Sequence, residues 1–240
     1  IDLTMAGFPG PKRVFNGEHG YFKLIENNQF DMEYMKNNIG KKWMISEIAH
    51  KPYPSGRLTH GLVHAIKDLK SKHKLNKDDI KSIVCNVPPG VYKLVSRPII
   101  ENLTTNYAKL CARFVGASFM INNHLNIDTF TDEKYLNNKE ILKFADKIKI
   151  VKNDKLNEKV LTPQLFSIIL ENDKKIEIKL DNVYGHPKVP LSEKEYLNKF
   201  DVCCASSKKK IDENKIENMK DFILNVEKKD SIVEFLKIVS

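Results

Sequence analysis

An amphipathic helix in the first third of the chain is the feature that most constrains the fold. From Arg57 onward, apolar residues recur at intervals of three and four, the spacing of one helix face. That stripe comprises Leu58, Leu62, Ala65, Ile66 and Leu69. Ser55 is a residue type that caps helices, and Pro54 before it suits the approach to one. We therefore expect a helix whose N-cap is Ser55.

Strand patterns follow this helix. In "DDIKSIVCNVPPGV", apolar Ile83, Cys85 and Val87 alternate before a Pro-Pro-Gly stop. "DKIKIVK", "LFSIIL" and "KKIEIKL" also have strand character, and the last two predict a hairpin across Asn172-Asp173. A second long, buried helix is expected over "YAKLCARFVGASF", and helices return from "LSEKEYLNKFDVCCA" to the end. This mixture predicts an α+β module next to, or embedded in, a helical body.

The charge balance argues against a nucleic-acid partner. The chain has 240 residues and a net charge of +9, but its lysines are interspersed with Asp and Glu. The only dense basic run is Lys208 to Lys210, and neither an RNA-binding aromatic-glycine motif nor a zinc-finger spacing occurs. The excess charge is therefore interpreted as a solvated surface with a general attraction for small anions.

The cysteines and the hydropathy predict a cytoplasmic protein without a metal site. The four cysteines form no C-x-x-C pair, and no histidine is spaced to complete a metal site. Reduced thiols are the default in the cytosol. No apolar run of about 18 residues occurs, so no membrane span is expected, and the first residues lack the charged-then-apolar order of a signal peptide. The chain starts at "IDLTMAGF" without an initiator Met, so we expect it to be the interior of a longer protein.

The stretch "HKPYPSGRLTHGL", residues 50 to 62, concentrates candidate site residues. Lys51 precedes the predicted helix, Ser55 caps it and Arg57 lies in its first turn. Free N–H groups and the positive end of a helix dipole attract carboxylates and phosphates, so these residues predict an anion site. His60 and His64 lie one turn apart and are candidates for a general acid or base, or for hydrogen-bonded structural roles.

Two further candidates follow the first predicted strand. Tyr92 comes after its Pro-Pro-Gly stop, in a predicted loop where functional side chains often occur, although a packing role is equally open. Arg97 stands in a similar position before Pro98. The cluster around His186 is adequately explained as a turn before a helix, because Ser192 and Glu195 have the spacing of a capping box.

Several of these segments together resemble the C-terminal half of the MmgE/PrpD family, which includes 2-methylcitrate dehydratases and cis-aconitate decarboxylases. The segments are "KPYPSGRLTHG", "NYAKLCARFVGASFMINNHLNIDTFTD", "YGHPKVPLSEKEYLNKF" and, before them, "GFPGPKRVFNGEHGYF". The resemblance implies a large helical domain and a smaller α+β lid, usually in a homodimer, with the site between the domains and no metal or other cofactor. It divides this chain into 1–45, the end of an incomplete N-terminal helical domain, 46–188, the lid, and 189–240, helices returning to the helical domain.

The resemblance also implies roles for individual residues. Lys51 matches the lysine of the family's K-x-[FY]-P motif and would bind a substrate carboxylate, with Ser55, Arg57 and Arg97 as further binding residues. His60 matches the histidine of its T-H pair, and Tyr92 resembles its active-site tyrosine, although the loop up to Arg97 has a different length. His60 and Tyr92, with Lys51, are thus the expected catalytic residues.

Two departures from the family refine the expected function. Gly56 stands where the decarboxylases carry a histidine, and the family's N-terminal half, with its acidic-histidine motif, is absent. We therefore expect a lyase, or a fragment of one, that removes water from a small di- or tricarboxylate in the manner of 2-methylcitrate dehydratase. The alternatives are an isomerase or epimerase, a cis-aconitate-type decarboxylase, or a non-catalytic half. The expected partners are the polycarboxylate, the missing N-terminal half and a second copy of the chain. Neither nucleic acid nor a membrane is expected as a partner.

Overall fold

The computed structural model describes all 240 residues, which form two compact units, Ile1–Glu47 and Ile48–Ser240. In the first unit the ring of Phe22 is buried and stacks on Phe30 at a centroid distance of 4.0 Å. Its helices are α1 (Asp2–Met5), α2 (Tyr21–Leu24) and α3 (Met32–Asn38), followed by a 3-10 turn at Met44–Glu47. The division of the chain into segments 1–45, 46–188 and 189–240 remains a prediction.

The second unit contains ten helices and four strands. Its first half comprises a 3-10 turn (Arg57–Thr59), α4 (His60–Lys72), a 3-10 turn (Lys77–Asp79), β1 (Ile80–Val87), α5 (Pro89–Val95), α6 (Thr105–Lys109), α7 (Ala112–Asn122), α8 (Asp128–Thr131), α9 (Glu133–Leu136) and α10 (Lys139–Ala145). Its second half comprises β2 (Ile148–Lys152), β3 (Gln164–Leu170), β4 (Lys175–Leu180), α11 (Glu193–Ala205), α12 (Glu213–Leu224), a 3-10 turn (Val226–Lys228) and α13 (Val233–Val239).

The four strands form one mixed sheet in the order β2-β1-β3-β4. Strand β1 pairs in parallel with β2, while β3 is antiparallel to both β1 and β4. Ile83, Cys85 and Val87 of β1 are buried, as their alternation predicts. The β3–β4 hairpin turns at Asp173, whose φ of +60° lies in the left-handed region that Asp tolerates. The strands and the hairpin predicted from the sequence are therefore confirmed.

Helices α4 and α7 pack closely against each other. A β-carbon at Gly116 would lie 2.5 Å from Cδ2 of Leu62, so the glycine permits the close approach of the two helices. Helix α7 ends at Asn122, and the next residue, Asn123, has a left-handed φ of +62°. Residues 123–127, which form and follow that turn, line the cleft described below, and Leu125 among them is buried.

The α+β fold is confirmed, but two predicted elements are wrong. The helix expected over Tyr107 to Phe119 is interrupted between α6 and α7, where the carbonyl of Lys109 accepts a hydrogen bond from the N–H of Gly56 instead of from the next helical turn. Tyr92 lies in helix α5 and not in a loop, because Pro89 occupies the first helical position, where its missing N–H costs nothing.

The predicted N-cap at Ser55 is also wrong. The extended residue before the first helical turn is Gly56, and Ser55 makes no capping hydrogen bond. Its hydroxyl instead points into the protein, 3.0 Å from Oγ1 of Thr59 and 3.1 Å from Nε2 of His60. The capping box of α11 is confirmed, since Ser192 and Glu195 bond reciprocally.

Candidate functional site

A cleft of about 440 Å³ lies beside the segment that contains Lys51. The 51–54 segment, α4, the end of α7 with the turn after it, and α11 contribute its walls. Its charged residues are Lys51, Lys67, Lys199 and Glu195, and its amides include Asn123 and Asn198. Tyr53 and Phe119 supply apolar surface. This volume lies within the range of about 300–1,000 Å³ that is usual for small-molecule sites.

The backbone before Lys51 is fixed by two distant segments of the same unit. The N–H of His50 donates to the carbonyl of Gly185 over 2.8 Å, and Nδ1 of His50 lies 2.8 Å from the hydroxyl of Tyr196. Gly185 has φ +88°, and a β-carbon there would meet the carbonyl oxygen of His50 at 2.0 Å. The turn at Gly185 and helix α11 therefore hold Lys51 at the rim of the cleft.

Glu195 joins α11 to α4 inside the cleft. Its Oε1 lies 3.0 Å from Nζ of Lys67, and its Oε2 accepts from the hydroxyl of Tyr184 and from the N–H and hydroxyl of Ser192. Partial burial alone would raise the pKa of this carboxyl, but these hydrogen bonds outweigh it and lower the pKa to about 2. Glu195 is thus a structural anion whose two oxygens are occupied.

The lining of the cleft is cationic. Three lysines and one glutamate give it a net charge of +2 when its histidine, His124, is neutral. Lys67 is paired with Glu195, whereas Lys51 and Lys199 form no ion pair with the chain. The cleft is therefore suited to an anion with more than one negative group.

His60 lies behind this cleft in the protein interior. It is 1% exposed, its ring meets that of Tyr53 edge to face at 5.4 Å, and its Nδ1 has no hydrogen-bond partner. Burial, together with the positive charges of Lys51, Arg57 and Lys199, lowers the pKa of His60 to about 3. The imidazole is neutral at neutral pH and contacts the segment that carries Lys51. Its assignment as a proton-transfer residue remains a prediction.

The remaining predicted site residues lie outside the cleft. Arg57 lines a different hollow of about 210 Å³ with His186 and Gln164. Tyr92 and Arg97 share a third hollow, of about 360 Å³. The structure thus brings Tyr92 and Arg97 together, but neither they nor Arg57 share the cleft of Lys51. Ser55 is buried beside His60 and belongs to the support of the 51–55 segment.

His64 also has a structural partner. Its Nδ1 accepts the N–H of Tyr184 over 3.3 Å, and burial lowers its pKa. Its ring lies 5.8 Å from that of Tyr184. This geometry favours the hydrogen-bonded structural role among the two that the sequence left open.

Sequence interpretation missed Lys67 and Lys199. Lys199 lies one helical turn after Glu195, and Asn198, Val202 and Cys203 share its face of α11. The residues of this face recur at intervals of three and four, but the polar residues among them have the spacing that is also usual for a solvent-exposed helix face. Only the tertiary contacts of Glu195 show that this face lines a cleft.

Gly56 is closely packed where it stands. A β-carbon at this position would lie 2.5 Å from Cδ2 of Leu110 and 3.3 Å from the carbonyl oxygen of Lys109. The side chain of Leu110 and the backbone of Lys109 therefore occupy the space that a side chain at this position would need.

Neither a metal centre nor a membrane-spanning helix is present. No group of three or more His, Cys, Asp and Glu side chains is arranged to hold a metal ion. None of the helices combines the length and the apolar character needed to cross a bilayer.

Comparison with known proteins connects this architecture to one family. Residues 53–223 match the model of the MmgE/PrpD C-terminal domain. The chain is 23% identical over 234 residues to cis-aconitate decarboxylase of Homo sapiens, covering 94% of this chain and 46% of that protein. It is 23% identical over 215 residues to cis-aconitate decarboxylase of Mus musculus, covering 82% of this chain and 41% of that protein. The chain spans less than half the length of these relatives. With most of its length matched by the family's C-terminal domain, the chain belongs to the MmgE/PrpD family.

Proposed function

We propose that this chain forms the carboxylate-binding part of a lyase that acts on a small di- or tricarboxylate. The observation that carries this proposal is Lys51, a cation without an ion-pair partner, fixed at the rim of a cleft whose lining has an excess of positive charge. Membership in a family that includes decarboxylases supports a lyase reaction.

The proposed reaction is the elimination of water. A proton leaves the carbon next to a carboxylate, the neighbouring C–O bond breaks, and the departing hydroxide takes up a proton to become water. Lys51 stabilises the negative charge that accumulates on the carboxylate during this step, because the anchored backbone before it keeps a cation at the cleft and the charge forms next to an existing positive group. Proton transfer by His60 or Tyr92 is a hypothesis, and neither side chain lines the cleft of Lys51.

His60 has a different role in this proposal. Its neutral ring contacts Tyr53 and Ser55, two and four residues after Lys51, so it positions the segment that carries the lysine. A buried cation next to Lys51 would repel the ammonium group, and the lowered pKa of His60 prevents this.

Decarboxylation is the second candidate, and the two cis-aconitate decarboxylases support it. In that reaction a C–C bond breaks, carbon dioxide leaves and the resulting carbanion takes up a proton. Gly56 favours dehydration, because the histidine that the family's decarboxylases carry at this position is absent. Both reactions require the same carboxylate-binding lysine.

The experiment compares the full-length protein with Lys51→Gln and Lys188→Gln. Lys188 is an exposed lysine outside the cleft, so its variant controls for the loss of one positive charge. All three proteins are offered 2-methylcitrate, citrate and cis-aconitate, with water elimination and carbon dioxide release measured separately. We expect elimination, and a loss of about 100-fold or more in kcat/KM for Lys51→Gln, the scale of removing one group that stabilises developing charge. Carbon dioxide from cis-aconitate without elimination would select the second candidate, and full activity of Lys51→Gln would refute the role of the lysine.

A further inference from the structure

Helix α11 places a second cation in the cleft that holds Lys51. Lys199 lines this cleft, and so does Asn198 beside it, although both come from a segment nearly 150 positions later in the chain. Lys199 is exposed, and its ammonium group pairs with no carboxylate of the chain. An unpaired cation in a concave site is available to a ligand.

The usual partner of Lys199 is already occupied. A glutamate four residues before a lysine on a helix commonly pairs with it, and Glu195 has this spacing. Both oxygens of Glu195, however, bond to Lys67, Tyr184 and Ser192. The same bonds fix the first turn of α11 against α4, so the backbone that carries Lys199 is anchored one turn away from its side chain.

We infer that Lys199, assisted by the amide of Asn198, binds a second carboxylate of the ligand whose first carboxylate is bound by Lys51. This inference rests on the proposed function, which identifies the ligand as a polycarboxylate. With one cation for each of two carboxylates, the site explains why the ligand needs at least two of them. The apolar surfaces of Tyr53 and Phe119 in the same cleft suit the carbon chain between the charged groups.

The lowered pKa of His60 is consistent with two cations that act on the same region. Both Lys51 and Lys199 disfavour protonation of His60, which is buried directly behind the 51–55 segment. Two positive charges that reach one buried ring from separate elements raise the positive potential between them. A ligand with carboxylates at both ends places a negative charge near each cation, whereas a monocarboxylate can do so for one of them.

The test measures binding separately from turnover. Its probe is propane-1,2,3-tricarboxylate, which has three carboxylates but no hydroxyl group to eliminate. Calorimetry on the full-length protein compares wild type, Lys51→Gln, Lys199→Gln, Lys199→Arg and Lys194→Gln. Lys194 lies on the same helix, is exposed and does not line the cleft, so it is the matched control.

We expect Lys199→Gln to weaken binding roughly 10- to 100-fold, the scale of one charge-assisted hydrogen bond. Lys194→Gln should stay close to wild type, and Lys199→Arg should retain most of the affinity. The affinity of Lys199→Gln should also depend less steeply on salt. Equal losses for Lys199→Gln and Lys194→Gln, or no loss for Lys199→Gln, would overturn the inference.

The design separates this inference from the proposed function. If Lys51→Gln abolishes turnover and weakens binding while Lys199→Gln binds normally, the lyase proposal stands and the role of Lys199 is refuted. If both variants weaken binding but the wild-type protein eliminates neither water nor carbon dioxide from any tested polycarboxylate, the two-cation site stands and the lyase proposal fails. Unchanged thermal unfolding of Lys199→Gln shows that the effect is local.

Discussion

Nε2 of His60 lies 3.1 Å from the hydroxyl oxygen of Ser55, at a point where both side chains are buried. The histidine follows the serine by five residues, and the pair closes the turn that leads from Lys51 into α4. A neutral imidazole satisfies this arrangement, whereas an imidazolium would place a charge in the interior without an anionic partner. The acid sensitivity of the protein should therefore depend on His60.

The first prediction concerns stability against pH. Burial and the charges of Lys51, Arg57 and Lys199 lower the pKa of His60 from 6.5 to about 3 in the folded state, so the unfolded chain binds more protons between these values. The contribution of neutral His60 to the free energy of unfolding is complete above pH 6.5. On the scale of 1.36 kcal/mol per pKa unit, the free energy of unfolding should fall by about 1.5 kcal/mol between pH 6.5 and pH 5.

Chemical denaturation of wild type and His60→Gln at several pH values measures this effect. The variant lacks the titrating group, so its profile should be flatter over the same range. His64→Gln is the control. The pKa of His64 is also lowered, but His64 is less buried, so its replacement should flatten the profile less than that of His60. Parallel profiles for wild type and His60→Gln would contradict the prediction.

Much of the fold was predictable from local sequence, but the site was predictable only in part. The α11 capping box, the β3–β4 hairpin and the alternation of β1 depend on neighbouring residues, and all three occur in the structure. The environment of Lys51 depends instead on Gly185 and α11, which are far away in the chain. Local patterns carry no information on such contacts.

The burial of His60 illustrates the same limit. On the helical spacing alone, His60 and His64 lie one turn apart, and each is a candidate for a general acid or base or for a structural role. The 51–55 segment folds back over the start of α4, so that Tyr53 and Ser55 cover His60. Ser55 consequently serves as a partner for a side chain and not as a helix cap.

The second prediction concerns the link between α11 and α4. Glu195→Ala removes the acceptor for Lys67, Tyr184 and Ser192, three side chains that would lose their shared partner. The carboxylate is about one-third exposed, so solvent screening limits the effect, and we expect a loss of about 1–2 kcal/mol in the free energy of unfolding.

Glu193→Ala is the matched control, since Glu193 occupies the same first turn, is exposed and makes no ion pair. Denaturant unfolding compares the two variants with wild type. A Glu195→Ala protein as stable as Glu193→Ala would show that the network does not hold the helix.

The third prediction concerns Gly185. Alanine at this position would meet the carbonyl oxygen of His50 at 2.0 Å and would also have to adopt φ +88°. Backbone strain of this kind costs roughly 1–3 kcal/mol, and we expect Gly185→Ala to lose at least that much stability. The segment that carries Lys51 should shift as well, so the affinity for a tricarboxylate should fall.

Gly40→Ala separates the two causes. Gly40 has φ +71°, but nothing lies within 4 Å of the position of its β-carbon, so its variant reports the conformational effect alone. A loss of stability in Gly185→Ala that does not exceed that of Gly40→Ala would refute the steric contribution of His50.

The last prediction uses Cys203 as a reporter of the cleft. Its side chain is exposed, lines the cleft and lies one helical turn after Lys199. Cys85 and Cys111 are buried, and burial raises the pKa of Cys204, so a Cys204→Ser background leaves Cys203 as the accessible thiol.

At concentrations that saturate the site by calorimetry, propane-1,2,3-tricarboxylate should slow the alkylation of Cys203 by iodoacetamide several-fold. At the same concentration the protection should be largely lost in Lys199→Gln, because binding at the α11 side of the cleft is weakened, and retained in Lys194→Gln. Equal alkylation rates with and without the saturating tricarboxylate would place the bound ligand elsewhere and contradict the two-cation site.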